Sequence, residues 1–282
     1  MTITNSETAY EHAVSQQWHA TGPASPSQAV TLAGVVRSEL IKLRSVTSTI
    51  AGLLTTVVLT IAIPTIALVA QGQADGDPSG VLTDPTGGSL SGIGAAVFAV
   101  LSLGVLAVSG EYSTGTIRSS LAAVPRRTTL VWGKAAAVFL VTLPVGVASA
   151  VVAFLLAQLI LASGGHSISM VEPGVARAVI GAGLYLSVAA ALASGFAWML
   201  RSTAGSLAVV IGVLFFLPTI GLLLPARVAA HVVPFLPNNA GMAIMQTEPS
   251  GQLPPWIGIA VFAAYALITL AAASYLTNRR DS

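Results

Sequence analysis

The sequence predicts an all-α, polytopic membrane protein. Its mean hydropathy is +0.84, and Asp, Glu, Lys and Arg together make up only 8% of its 282 residues. Soluble domains carry about 25% of these residues, so this chain has too few charges to cover a globular surface in water. The same composition excludes collagenous, disordered and nucleic-acid-binding proteins.

Six segments are long and apolar enough to cross a membrane. A spanning helix needs about 20 mostly apolar residues, because each residue rises about 1.5 Å and the hydrocarbon layer is about 30 Å thick. The predicted spans are residues 46–70, 90–109, 135–163, 174–200, 205–224 and 255–276. Within them, Arg177 is the only formal charge, and it lies near an end. Gly183, Ser187, Ala191 and Gly195 recur every four residues, which predicts close helix packing on that face.

Basic residues are distributed unevenly between the two sides of these spans. With both termini in the cytoplasm, the inside receives Arg37, Lys42, Arg44, Arg118, Arg126, Arg127, Lys134, Arg201, Arg279 and Arg280. The outside receives only Arg177 and Arg227. Because Lys and Arg are enriched at the cytoplasmic ends of spans, this asymmetry predicts a multi-pass protein of the cell membrane with both termini cytoplasmic.

The chain divides into two predicted regions. Residues 1–29 contain no Lys or Arg and lack the apolar core of a secretory signal, so we expect a disordered cytoplasmic tail. Residues 30–282 form the six-span transmembrane domain. The sequence has no cysteine, which excludes disulfides, thiolate catalysis and thiolate metal sites.

An amphipathic helix is predicted between the tail and the first span. Its apolar side carries Leu32, Val35, Val36, Leu40 and Leu43, and its opposite side carries Arg37 and Arg44. Such a helix lies on the cytoplasmic membrane surface. Glu39 projects into the apolar stripe, where a carboxylate needs a basic partner. Lys42, three residues on, or a basic residue of another cytoplasmic element can provide it.

The segment between the second and third spans, residues 110–134, combines a predicted short helix with charges. Ser113 or Thr114 can cap a helix that starts at about Gly115, and Pro125 disfavours helical geometry at the residue before it. A capped helix of this length is a compact projection that a simple connecting loop does not need. Glu111 precedes it at the membrane edge, and basic residues follow it.

A pattern of residues surrounds the first two spans. Before the first span stand Arg37, Ser38, Glu39, Lys42, Leu43 and Arg44, and after the second stand Glu111, Tyr112, Gly115, Thr116, Pro125, Arg127 and Lys134. This pattern resembles the membrane (permease) subunit of type-2 ATP-binding-cassette (ABC) exporters. The resemblance covers the chain from about residue 30 to its end, and residues 111–134 are its most specific part.

The resemblance implies roles for two cytoplasmic helices. Residues 31–44 would be an interface helix, carrying Arg37, Glu39, Lys42 and Arg44. Residues 115–124 would be a coupling helix inserted into a partner ATPase, with Glu111, Gly115, Thr116, Arg118, Pro125 and Arg127 as the coupling residues. Residues 235–241 are also similar to the short outer helical element that such permeases place before their last span, with Asn239 as its expected cap.

The sequence has no nucleotide-binding loop of its own. At its only Gly-Lys pair, Gly133 and Lys134, Thr128 stands where the motif GxxxxGK[ST] begins with glycine, and Ala135 stands where Ser or Thr should follow. We therefore expect a chain that is not an enzyme and binds no cofactor, with ATP and Mg²⁺ held by separate ABC ATPase subunits. Two ATPase subunits imply a second membrane subunit, either identical or a paralogue.

Other classes of function fit the sequence less well. An intramembrane hydrolase needs catalytic groups or metal ligands at bilayer depth, but His166 and His231 fall in outer loops without a carboxylate pair. An ion-coupled carrier needs buried acidic or basic relays, which the spans do not offer. The alternative is a non-transporting membrane scaffold or assembly protein, which would have no need of a coupling helix. The charge-poor spans favour an amphiphilic or hydrophobic cargo without identifying it.

Overall fold

The computed structural model describes residues 31–73, 84–124, 126–162, 167–221, 223–247 and 253–280. Within these ranges the chain forms helices and no strand, and six helices are long and apolar enough to cross a membrane. The all-α class and the six apolar helices are thus confirmed, in agreement with a multi-pass membrane protein. The predicted tail at residues 1–29 lies outside the described residues.

The helices of the described residues are numbered along the chain. In chain order they are α1 (Leu32–Ser45), α2 (Thr47–Gln73), α3 (Pro85–Ser89), α4 (Ile93–Thr114), α5 (Ile117–Ala123), α6 (Arg127–Ala162), α7 (Val175–Leu200), α8 (Thr203–Ile211), α9 (Leu217–Gly221), α10 (Ala226–Val232), α11 (Pro237–Met242) and α12 (Pro255–Arg280). The six spans are α2, α4, α6, α7, the combined α8 and α9, and α12.

Among the spanning helices, α4 and α6 extend furthest beyond their apolar segments. Helix α4 continues to Thr114 rather than ending at residue 109, and α6 begins at Arg127 rather than at residue 135. Hydropathy marks only the apolar part of a helix, whereas backbone hydrogen bonding continues through polar flanking turns. As a result, Glu111 and Lys134 lie within the ordered turns of two neighbouring helices.

Helix α7 lies at the centre of the bundle and packs against α4, α6 and α12. Small residues allow this approach. Gly183 faces the backbone of Val147 on α6, and Gly195 faces Thr269 on α12. Without a hydrophobic driving force between helices in lipid, such close backbone contact is a main source of association. The predicted small-residue face of this helix is confirmed as a packing face.

The fifth span contains a π-helical turn that its apolar periodicity does not predict. Residues Gly212–Phe216 join α8 to α9, and the Leu217 N–H donates to the Gly212 carbonyl five residues earlier. An extra residue in one turn rotates all the side chains that follow. Within this turn, Phe215 stacks on Phe98 of α4 with ring centroids 4.6 Å apart.

Helix α11 forms within the predicted short helical element at residues 235–241, but the expected cap of that element is wrong. Asn239 lies inside α11, and its amide donates to the Val233 carbonyl at 3.0 Å. The residue before α11 is Leu236, which makes no side-chain cap, and Pro237 begins the helix. Proline suits this position because its missing N–H would have no helical partner anyway.

The α6–α7 contact gives a direct test of the packing. A Cβ at Gly183 would overlap the backbone nitrogen of Val147, whereas a Cβ at Gly94 on α4 would meet nothing within 4 Å. We expect Gly183→Ala to destabilise the protein by about 1–3 kcal/mol, the usual cost of overpacking. Gly94→Ala should be neutral or slightly stabilising. Thermal unfolding in mild detergent measures both, and equal melting temperatures would contradict this packing.

The two ends of the bundle can be assigned to membrane sides by cysteine labelling, because the natural chain has no cysteine. Ser119 on α5 and Val228 on α10 are both exposed and lie at opposite ends of the spans. On intact cells, an impermeant maleimide should label Val228→Cys but not Ser119→Cys. Permeabilised cells should show labelling of both. The reverse pattern on intact cells would place both termini outside.

Candidate functional site

Four charged side chains meet where α1, α4 and α6 come together, and we refer to them as the charge cluster. Helix α1 contributes Glu39 and Lys42, α4 contributes Glu111, and α6 contributes Lys134. This end of the bundle also holds α5, and we call it the basic end. The cluster therefore joins the three helices that surround the connection between the second and third spans.

Lys134 is the centre of the charge cluster. Its ammonium donates to Glu39 Oε2 at 2.6 Å and to Glu111 Oε1 at 2.7 Å. The Glu111 oxygen also accepts a hydrogen bond from Lys42. Since Glu39 and Lys42 are one turn apart on α1, the chain of contacts starts and ends on that helix. Glu39 is thus paired with a distant helix and not with its neighbour Lys42.

Burial makes these contacts energetically demanding. Lys134 is 1% exposed, Glu39 6% and Glu111 4%, whereas the Lys42 side chain is 41% exposed. Removing a charge from water costs several kcal/mol, so each buried charge needs a partner with good geometry. Two carboxylates and two ammonium groups give a neutral set. The elements that carry them must therefore stay together.

Packing around α1 places its charges correctly. Val35, Glu39 and Leu43 are its buried residues, spaced four apart on one face. Val35 lies against α6 at Gly133, where a Cβ would come within 2.6 Å of the Val35 side chain. Any larger residue at this position would push α1 away from α6. The glycine immediately before Lys134 thus allows Glu39 to reach the ammonium group.

The end of α4 is also tied to the rest of the bundle. Ser109 bonds to Thr203 at the start of α8, with 2.8 Å between the hydroxyl oxygens. Tyr112 packs edge-on against Trp198 of α7, and the Arg201 guanidinium lies over the Tyr112 ring at 5.3 Å. The last two turns of α4 therefore contact α1, α6, α7 and α8. A displacement of this helix end would therefore act on α1 and on the spans that contain α6, α7 and α8.

Helix α5 projects from this tied end. It covers Ile117–Ala123, somewhat shorter than the predicted 115–124, and it ends at Val124 in an extended conformation. The predicted capping by Ser113 or Thr114 is wrong. Both residues belong to the last turn of α4, where their hydroxyls donate to the Gly110 carbonyl. The reversal is made by Gly115, whose φ of 73° suits a residue without a side chain.

A cavity of about 300 Å³ lies next to the charge cluster, between α1 and the end of α4. Its lining includes both carboxylates of the cluster, and it also includes the hydroxyl residues Ser48, Thr49, Ser113, Thr114 and Thr116. The cavity reaches the residue immediately before α5. Within the described residues, no group of three or more His, Cys, Asp or Glu side chains could hold a metal ion.

The structure gives different positions to the remaining predicted site residues. Arg37 and Arg44 are exposed on α1, and Thr116 is exposed immediately before α5. Arg127 contacts the last span, since its guanidinium donates to the Thr277 carbonyl of α12 at 3.3 Å. Arg118 belongs to α5 by its backbone, and Pro125 lies outside the described residues.

Lys134 is the residue whose role the sequence analysis missed. We expected it to act as a topology signal, yet it is the most buried charge of the cluster. A signal was present in the sequence. Lys134 is followed by an unbroken apolar segment and is preceded by Val131, Trp132 and Gly133. A lone lysine in such surroundings needs a buried carboxylate partner, and the only two glutamates on that side are Glu39 and Glu111 among residues 30–134.

No protein-family model and no curated protein matches this sequence. Any functional role therefore rests on the charge cluster and its position beside α5.

Loss of the central ammonium should be costly. Lys134→Met leaves Glu39 without its partner in a buried position, and breaking a buried ion pair costs about 3–5 kcal/mol. Arg44→Met, which removes an exposed charge from α1, should change stability by about 0.5 kcal/mol or less. Unfolding in mild detergent compares the two variants. If both lose the same stability, the cluster does not hold α1 to the bundle.

Proposed function

We propose that this chain is the permease subunit of an ATP-driven ABC exporter. In this proposal it forms the translocation pathway with a second membrane subunit and contacts a separate ATPase through α5. ATP and Mg²⁺ belong to that ATPase, because the chain has no phosphate-binding loop of its own. The cell membrane is the proposed location, with α1 and α5 on the cytoplasmic side.

The observation that carries the proposal is the position of the charge cluster on both sides of α5. Glu111 lies six residues before this helix, in the last turn of α4, and Lys134 lies eleven residues after it, two turns into α6. The two side chains bond to each other at 2.7 Å, so the ends of α4 and α6 form one unit. A push on α5 therefore reaches both spans at once.

The same cluster extends the unit to α1. Glu39 and Lys42 each bond to one of those two side chains, so α1 moves together with α4 and α6. Closure of a partner ATPase around α5 would then shift these three helices as a rigid body. Glu111 is the joint in this mechanism, because its Oε1 atom accepts from both lysines.

The contacts at the end of α4 would transmit a displacement of α5 to other spans. Through Ser109 and Tyr112, the displacement passes to α8 and α7. Helix α7 in turn packs along α6 and α12. A connecting segment with no mechanical role would not require these contacts. The spans are apolar and carry few charges, which fits an amphiphilic or hydrophobic cargo, such as a lipid, a drug or a peptide.

Two matched proline substitutions test the role of α5. Helices α5 and α10 each have seven residues, and Ser120 and Ala229 are the fourth residue of each. Both are half-buried, and each donates its N–H to a carbonyl four residues earlier. Proline removes that bond and costs about 3 kcal/mol in a helix. Ser120→Pro therefore disrupts the proposed contact helix, and Ala229→Pro is its control at the other end.

The readout is a co-purifying ATPase. The tagged chain is expressed with its chromosomal neighbours, purified in mild detergent and assayed for vanadate-sensitive ATP hydrolysis. We expect a stoichiometric ATPase with the natural chain and with Ala229→Pro, and about 100-fold weaker association with Ser120→Pro. Retention of the ATPase by Ser120→Pro would contradict the coupling role. A folded natural chain with no ATPase would favour a membrane scaffold.

A further inference from the structure

The cavity beside the charge cluster changes from polar to apolar along α4. Its wall contains Glu111 and, five residues earlier in the same helix, Leu106. At about 1.5 Å per residue, the two lie about 8 Å apart along the helix, with Leu106 deeper in the apolar span. Leu43 and Val46 add apolar surface from the end of α1. The cavity can therefore accommodate a molecule with one polar end and one apolar end.

The cavity has the size and the access that a small ligand needs. Its volume of about 300 Å³ lies at the lower end of the range for small-molecule sites. Part of its wall is at the protein surface, because Val46 and Ser48 on one side and Thr114 and Thr116 on the other are exposed. A ligand can thus enter without any helix having to unfold.

The buried part of the wall carries an unused hydrogen-bond acceptor. Glu111 is 4% exposed, and its Oε1 atom accepts from both Lys134 and Lys42. Its other oxygen, Oε2, is buried and accepts no hydrogen bond from the residues that the structure describes. A buried acceptor without a donor is costly, and most such groups in native proteins have a partner. A donor supplied by a ligand in the cavity would remove this cost.

The charges around the cavity favour a cation. Among the described residues of its lining, Glu39 and Glu111 are negative and Lys42 is positive, whereas Lys134 is not part of that lining. The Lys42 side chain is 41% exposed, but Lys134 is only 1% exposed. Lys42 can therefore turn into water, while Lys134 stays buried. Two buried carboxylates would then share one ammonium, and a second positive charge would restore neutrality.

We propose that this cavity binds an amphiphilic organic cation, whose ammonium group takes the place of the Lys42 ammonium and donates to Glu111, including its Oε2 atom. The apolar part of the ligand lies against Leu106 and Val46. Glu39 and Lys134 remain paired, so α1 keeps its contact with α6. This site is independent of the exporter proposal, because binding requires neither an ATPase nor transport.

Protection of an introduced cysteine tests the site, because the natural chain has no cysteine. Ser48→Cys places a thiol in the cavity wall, and Ser45→Cys places one nearby but outside the described lining. Both serines are exposed. In mild detergent, the rate at which methyl methanethiosulfonate labels each thiol is measured with increasing naphthylmethylammonium or with its neutral isostere, naphthylmethanol.

We expect half-protection of Ser48→Cys at an about tenfold lower concentration of the ammonium than of the alcohol, the gain that a hydrogen bond to a charged group provides. Ser45→Cys should be protected by neither compound. Adding Lys42→Met to Ser48→Cys should strengthen protection by the ammonium about tenfold, because the competing ammonium of the chain is lost. Arg44→Met, which removes an exposed charge from the same helix, should leave protection nearly unchanged.

Two further substitutions in the Ser48→Cys background test the acceptor and the space. Glu111→Gln should remove the preference for the ammonium. Gly110→Leu should prevent protection by both compounds, because Gly110 lines the cavity and a Cβ there meets nothing within 4 Å, which leaves room for a larger side chain. Gly94→Leu, at an equally open position of α4 outside the described lining, is its control.

Four results would overturn the proposal. Equal protection by both compounds would show an apolar pocket that does not recognise charge, and equal protection of Ser45→Cys would show a general effect on the protein. Unchanged binding to Lys42→Met, or an ammonium preference that survives Glu111→Gln in a folded protein, would place the cation elsewhere. Absence of protection by either compound would show that the cavity takes no ligand of this class. If Glu111→Gln does not fold, Lys42→Met and Gly110→Leu still decide between these results.

Discussion

The buried ammonium group of Lys134 is the constraint on which the basic end of this protein depends. Burying a lysine to 1% exposure is costly without carboxylates at hydrogen-bond distance, and Lys134 finds them on two other helices. Glu39 can reach it only if α1 packs against α6, and Glu111 only if α4 continues past its apolar part. The need to pair the Lys134 ammonium with two carboxylates thus determines how α1 packs and where α4 ends.

Different forces hold the two parts of the molecule. Within the spans, small residues on α7 bring backbones together, because dispersion and close packing replace the hydrophobic effect in lipid. At the basic end, directional contacts dominate: ion pairs, a hydroxyl pair and an arginine over a tyrosine ring. The first arrangement keeps the bundle together, whereas the second connects α5 to it. With this division, a force applied at α5 could move the spans without disrupting the packing between them.

The proposed coupling depends on an asymmetry of charge. An apolar bundle whose charges gather at one end can receive a protein partner there. Both glutamates of the charge cluster pair with lysines of the same cluster. Arg37, Arg44 and Arg126 are exposed at the same end, so the described surface there is basic.

The sequence by itself determined the all-α class, the six apolar helices, the short helix after Gly115 and the small-residue face of α7. These features follow from local composition and periodicity, which act over one helix at a time. It also indicated that Glu39 needs a partner, but left Lys42 and more distant residues open. Only the tertiary structure identified Lys134 as the partner of Glu39. The two residues are 95 positions apart, and their contact depends on how α1 packs at Gly133. The π-helical turn in the fifth span, where Phe215 stacks on Phe98 of α4, was likewise not predictable from one helix at a time.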